Sequence, residues 1–169
     1  KQIILSDEAD NITMVNGQIS APFLNVPAQV VRLRILNASS HRFFEFGFDD
    51  NRTFNQITSD DGLLNAPVPL TGLMLGSGER AEILVDFSGQ QGSTFFIKQY
   101  GTELPGGYPG GPQGGMGGMT MGPFDNIDFN LLQLKSGEAI FQGAGVPHAY
   151  LEAVNVALMA NSDNVLRGG

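Results

Sequence analysis

The sequence predicts an all-β sandwich, and three observations carry that expectation. Apolar and polar residues alternate with a period of two through most of the chain before residue 135. Turn-forming pairs separate the alternating runs at short intervals. The runs are half polar, which suits antiparallel sheets with one solvated face.

The elements follow in order. Ile3–Leu5 and Met14–Val15 are short strand candidates, and Asn16-Gly17 after the second is a type I′ hairpin signal. In Val30–Asn37, Val31, Leu33 and Ile35 share one face, with Arg32 and Arg34 on the other. Phe44, Phe46 and Phe48 repeat the pattern, and Phe54–Thr58 and Leu73–Leu75 are shorter candidates. Ile83, Val85 and Phe87 alternate with Glu82 and Asp86, and Phe95 with Ile97. The odd-numbered residues of Val31–Ile35 and Ile83–Phe87 are expected to face the core. Ile127, Phe129 and Leu131 then predict a last strand over 127–134.

Two segments break the pattern. From Gly101 to Gly122, ten of 22 residues are glycine, with Pro105, Pro109 and Pro112 among them, so 101–122 is expected to be a flexible Gly/Pro/Met-rich loop. Residues 1–138 therefore form the domain and 139–169 a linker or tail. Within that tail Pro147 opens a short helix with Leu151, Val154 and Leu158 on one face, or the segment runs extended.

Composition excludes several functions. The 169 residues are 41% apolar, enough for a core, and carry a net charge of −8. That balance argues against nucleic acid or an anionic membrane as partner. With no cysteine there is no disulfide, thiolate metal site or cysteine nucleophile. No run of about 20 apolar residues is present to span a membrane, and no signal peptide is visible. The chain opens on Lys1, which reads as a trimmed or excised piece.

Several motifs stand in a fixed order: Val15-Asn16-Gly17, Arg32-Leu33-Arg34-Ile35-Leu36-Asn37-Ala38, Phe54-Asn55-Gln56-Ile57, Ser59-Asp60-Asp61-Gly62-Leu63-Leu64, and Gly78-Glu79-Arg80 through Val85-Asp86-Phe87. Together they resemble the second domain of three-domain multicopper oxidases, the group of bacterial laccases, bilirubin oxidase and cuprous oxidases. The resemblance implies a cupredoxin-like Greek-key fold. It places copper in the flanking domains of a parent protein and none in this chain. It implies those domains of the same polypeptide as partners, and a periplasmic or extracellular location. Asp61 stands where the family usually has glycine, and the Ser6–Asn11 connection is short.

A type 1 copper site takes two histidines and a cysteine thiolate, and the chain offers only His41 and His148. No catalytic or cofactor-binding residue is assigned. Arg32, Arg34 and Arg80 lie in blocks with Glu79, Glu82, Asp60 and Asp61, and their convergence would make an ion-pair network or an interdomain contact. Asp49-Asp50 and Asp60-Asp61 read as solvated turn carboxylates rather than an acid–base pair. The sequons at Asn11, Asn37 and Asn51 read as chance matches. The candidate metal contact is Met116, Met119 and Met121, whose soft thioethers suit Cu(I) and whose intervening glycines let the sulfurs converge. Three functions compete: the copper-free central domain of an oxidase that oxidises phenols or metal ions and reduces O₂ to water, a non-enzymatic envelope or division scaffold of the same fold, and a free-standing binding module.

Overall fold

The computed structural model describes residues 13–19, 22–112 and 122–138, together with the backbone of 153–160. The strands are β1 (Thr13–Val15), β2 (Gln18–Ile19), β3 (Phe23–Val26), β4 (Val30–Asn37), β5 (Phe44–Phe48), β6 (Phe54–Ser59), β7 (Gly62–Leu70), β8 (Gly72–Leu75), β9 (Arg80–Asp86), β10 (Thr94–Tyr100), β11 (Asp128–Ser136) and β12 (Ala153–Ala160). They form two sheets, one of seven strands ordered β2-β1-β12-β4-β9-β6-β7 and one of five ordered β3-β11-β10-β5-β8. Sequence neighbours such as β4 and β5, or β8 and β9, lie in different sheets, so the chain repeatedly crosses the core.

The alternation in β4 and β9 turns into burial. Val31, Leu33, Ile35, Ile83, Val85 and Phe87 are each no more than 3% exposed. Phe44, Phe46 and Phe48 join the same core, with the Phe46 and Phe54 rings stacked at 6.0 Å, Phe48 tilted against Phe54 at 5.9 Å, and Phe87–Phe95 at 5.5 Å. Removing one such ring typically costs about 3–5 kcal/mol. Arg52 closes this end of the core: its guanidinium lies 3.8 Å from the centre of the Phe95 ring, while Asp50 holds it from the solvent side at 2.5 Å.

Turn chemistry is local and follows the sequence. Asn16 (φ 51) and Gly17 (φ 76) both take positive φ, the requirement of a type I′ turn between β1 and β2. Gly62 (φ 113) opens β7, whereas Asp61 is not among the positive-φ residues. The Gly-to-Asp departure therefore costs no left-handed strain.

Three expectations change. In β11 the alternation of Ile127, Phe129 and Leu131 does not carry through: the buried apolar positions are Leu131, Leu132 and Leu134, and Ile127 is exposed. Ile97 pairs with Leu132 and Lys98 with Asn130, so Leu131 is a bulge that flips the strand's parity. In the tail, Ala153–Ala160 is a strand rather than a helix or linker. It lies between β4 (parallel) and β1 (antiparallel), and this distant pairing decides its conformation. Finally, the stretch read as one mobile loop has a packed first half: Leu104 is 2% exposed, the Phe43 N–H donates to the Pro109 carbonyl, and the Phe43 and Tyr108 rings meet edge to face. Ile3–Leu5, His148 and the methionines Met116, Met119 and Met121 lie outside the described residues.

Candidate functional site

The outer face of the seven-stranded sheet carries a cleft of about 400 Å³ where β4, β9, β6 and the start of β7 meet. Arg34, Thr58, Asp60, Gly62, Arg80 and Glu82 are among its lining residues. Alternation dictates this placement, since Leu33, Ile35, Ala81 and Ile83 face inward and leave Arg34, Arg80 and Glu82 outside. The Arg34 Nε donates to Glu82 Oε1 at 2.7 Å, and the Arg32 Nε to Oε2 at 2.6 Å. The Arg80 backbone N–H and Nε both donate to Asp60 Oδ1, at 3.1 and 3.0 Å. The ladder between β6 and β9 is interrupted by a register shift between Gln56 and Thr58, and there Thr58 Oγ1 accepts the Glu82 N–H.

Burial works to raise the Glu82 carboxyl, but hydrogen bonds from Arg34 and Arg32 outweigh it and hold its pKa below the ordinary value. The cleft thus presents guanidinium–carboxylate pairs, a chemistry of recognition rather than of proton transfer. The predicted convergence of Arg32, Arg34 and Arg80 with Glu82 and Asp60 is met. Glu79 instead turns to the backbone, accepting the Gly76 N–H at 2.6 Å, and Asp61 is exposed.

A second cluster, missed from the sequence, surrounds Arg42. Its side chain is 2% exposed, and Nη1 sits 2.8 Å from Asp125 Oδ1 and donates to the Phe124 carbonyl at 3.1 Å. Asn37, fully buried, donates from Nδ2 to the carbonyls of Arg42 and Leu75 at 2.7 and 2.9 Å, and its Oδ1 accepts from the Ser39 N–H and hydroxyl. Burial and these bonds remove Asn37 as a glycosylation acceptor. On the other side the Asn126 N–H donates to the Gly110 carbonyl, and the Gly122 N–H to Asp125 Oδ2. Gly110 (φ 101) leaves no room for a side chain, because a Cβ there would meet the Phe43 carbonyl at 2.9 Å. Arg42 therefore holds the segment after 113–121, and the Asn126–Gly110 bond ties that segment to the one before it. The only prior signal was an arginine beside the Asn37-Ala38-Ser39-Ser40 turn, since its acidic partner is far along the chain.

The described residues do not fit a copper centre. No group of three or more His, Cys, Asp or Glu among them is placed to hold a metal ion. His41 is exposed, with Nδ1 3.0 Å from Ser40 Oγ. Asp49 and Asp50 serve the turn: Asp49 accepts the Phe96 N–H and Asp50 binds Arg52. No helix among the described residues is long and apolar enough to cross a membrane.

No family model matches the chain. Among curated proteins, cell division protein FtsP of Rahnella sp. (strain Y9602) is 48% identical over 75 residues, 44% of this chain and 16% of that protein. FtsP of Escherichia coli (strain K12) is 45% identical over the same length. The chain thus matches only 16% of the length of these relatives. Among solved structures, a laccase-like multicopper oxidase from Ochrobactrum sp. superposes with a TM-score of 0.56 at 32% identity, covering 76% of this chain and 24% of that one. A multicopper oxidase from Pediococcus acidilactici gives 0.56 at 31%, covering 83% and 25%. The McoA multicopper oxidase of Aquifex aeolicus, at 22% identity and a TM-score of 0.58, is similar in fold alone. The fold is a cupredoxin-like β-sandwich, and the chain is similar to one part each of multicopper oxidases and of a cell division protein.

Proposed function

We propose that this chain is a central, copper-free cupredoxin-like domain of a longer multicopper-oxidase-fold polypeptide located in the periplasm or outside the cell. Its work is to hold the flanking domains at a fixed separation. The observation that carries this reading is a pairing: the likeness to multicopper oxidases covers most of this chain and about a quarter of theirs, while the chain has no cysteine to furnish a type 1 thiolate. The flanking domains would hold the copper, take single electrons from phenols or metal ions, and reduce O₂ to water.

The FtsP likeness, at higher identity over a shorter stretch, favours a second reading in which the whole protein is a division scaffold without redox activity. Copper analysis and donor-dependent oxygen uptake on the full-length protein separate the two. Stoichiometric copper with uptake supports the oxidase. A full-length protein that binds no copper and gathers at the division site sinks it.

Within the oxidase reading, Met116, Met119 and Met121 collect Cu(I) on a segment whose two flanks are joined by the Asn126–Gly110 bond beside Arg42. Titration with Cu(I) against a competing chelator tests this. Affinity unchanged after replacing all three methionines with leucine removes the proposal.

A further inference from the structure

The strand β7 differs from the other long strands whose burial is described. Among the described residues it is an edge strand, paired only with β6, and none of its nine residues is fully buried. Leu63 is 80% and Val68 42% exposed, and Ala66, Pro67 and Pro69 are exposed as well. The segment Gly62–Leu70 carries no charge at all, in a chain of net charge −8. Free edges are ordinarily guarded by charged side chains or by proline. Here only proline serves. Pro67 and Pro69 lie two apart, so both withhold an N–H from the same side of the strand. An added strand would find donors missing there, which argues against β-augmentation and for contact through side chains.

We propose that β7 is the docking surface for an apolar face of a neighbouring folded domain of the same polypeptide. This rests on the reading that the chain is one domain of a longer protein. Two observations and one general argument select this occupant. The solved proteins of this fold devote about three quarters of their length to chain beyond the matched part, given matched shares of 24% and 25%. A tethered partner needs only a modest interface, because the linker supplies a high effective concentration. The cleft that begins at Gly62 adds a rim of paired charges, Arg34–Glu82 and Arg80–Asp60, beside the apolar strand. An apolar centre with a polar rim is the usual anatomy of a protein interface.

Single thiols in the full-length polypeptide test the surface, and this chain adds no background cysteine. Leu63→Cys is compared with Ser88→Cys, an exposed position in the turn after β9. N-ethylmaleimide should label the first at least about tenfold more slowly than the second, because reaction must await local undocking. Leu63→Lys should in addition raise tryptic cutting between domains several-fold while the melting of the 169-residue chain stays unchanged. Equal labelling rates in a protein that has the flanking domains overturn this inference and leave the domain assignment standing. Protection that grows with protein concentration assigns the surface to a second copy and also overturns it. A full-length protein without further folded domains sinks both.

Discussion

Arg42 and Arg80 carry the same guanidinium, and each faces an aspartate at hydrogen-bonding distance, but their surroundings differ completely. The Arg42 side chain is 2% exposed, beneath the segments that flank 113–121, whereas that of Arg80 is 68% exposed at the mouth of the cleft. A buried pair has given up its water, so removing one partner strands the other charge. An exposed pair can exchange its partner for solvent at little cost. The first arrangement therefore belongs to folding, and the second is free to serve recognition.

Asp125→Asn, which leaves Arg42 buried without its counter-charge, should be the sharpest blow. Breaking such a pair typically costs about 3–5 kcal/mol, readable as a fall in the urea midpoint of the chain. The double change Arg42→Met with Asp125→Leu should recover most of that loss, since apolar replacement of a whole buried pair is often neutral. If the single variant melts like the parent, Arg42 is not the clamp its geometry implies.

Arg52 sits between the two extremes, with its guanidinium on the Phe95 ring and Asp50 beyond. Arg52→Ala should cost about 1–2 kcal/mol from the lost ring contact and ion pair together. The pH dependence follows from the same contacts. Hydrogen bonding from Arg52 lowers the Asp50 pKa below its ordinary 3.8, and the arginines lower Glu82 below 4.5. Depressed carboxylates stabilise the fold above their unfolded values, so stability should begin to fall near pH 4.5 and be lost as pH drops through the folded values. Glu45 has the opposite sign, raised first by burial and then by Glu103. Ionising it costs stability as pH rises past 4.5, so Glu45→Gln should raise the melting temperature at pH 7 and lose that advantage at pH 4.

What was legible in the sequence was what local pattern decides. The alternation in β4 and β9 named its own core residues, and Asn16-Gly17 named its own turn. The arginine pairs were legible as a tendency, because β4 and β9 are adjacent and put Arg34 opposite Glu82. Elements decided at a distance were not. The parity flip at Leu131 arises from pairing with β10, and β12 is a strand because β1 and β4 lie on either side of it. Leu151, Val154 and Leu158 suit a helix by spacing, while Val154, Val156 and Leu158 alternate as a strand would, and the pairing with β1 and β4 decides between them. Arg42 was hidden for the same reason, as its burial depends on Gly110, Phe124 and Asp125 arriving from elsewhere.

The smallest expected effect is the most discriminating. Arg80→Ala removes an exposed pair with Asp60, so the isolated chain should lose no more than about 1 kcal/mol. Were Arg80 simply a solvated surface residue, the full-length protein would be equally indifferent. If instead the cleft is the rim of a docking surface, the same substitution should loosen the neighbouring domain, seen as faster proteolysis between domains at unchanged domain melting. A large loss in the isolated chain would mean that exposure is no guide to the role of these arginines. The contrast with Arg42 would then collapse, since the two sites would differ in setting and agree in consequence.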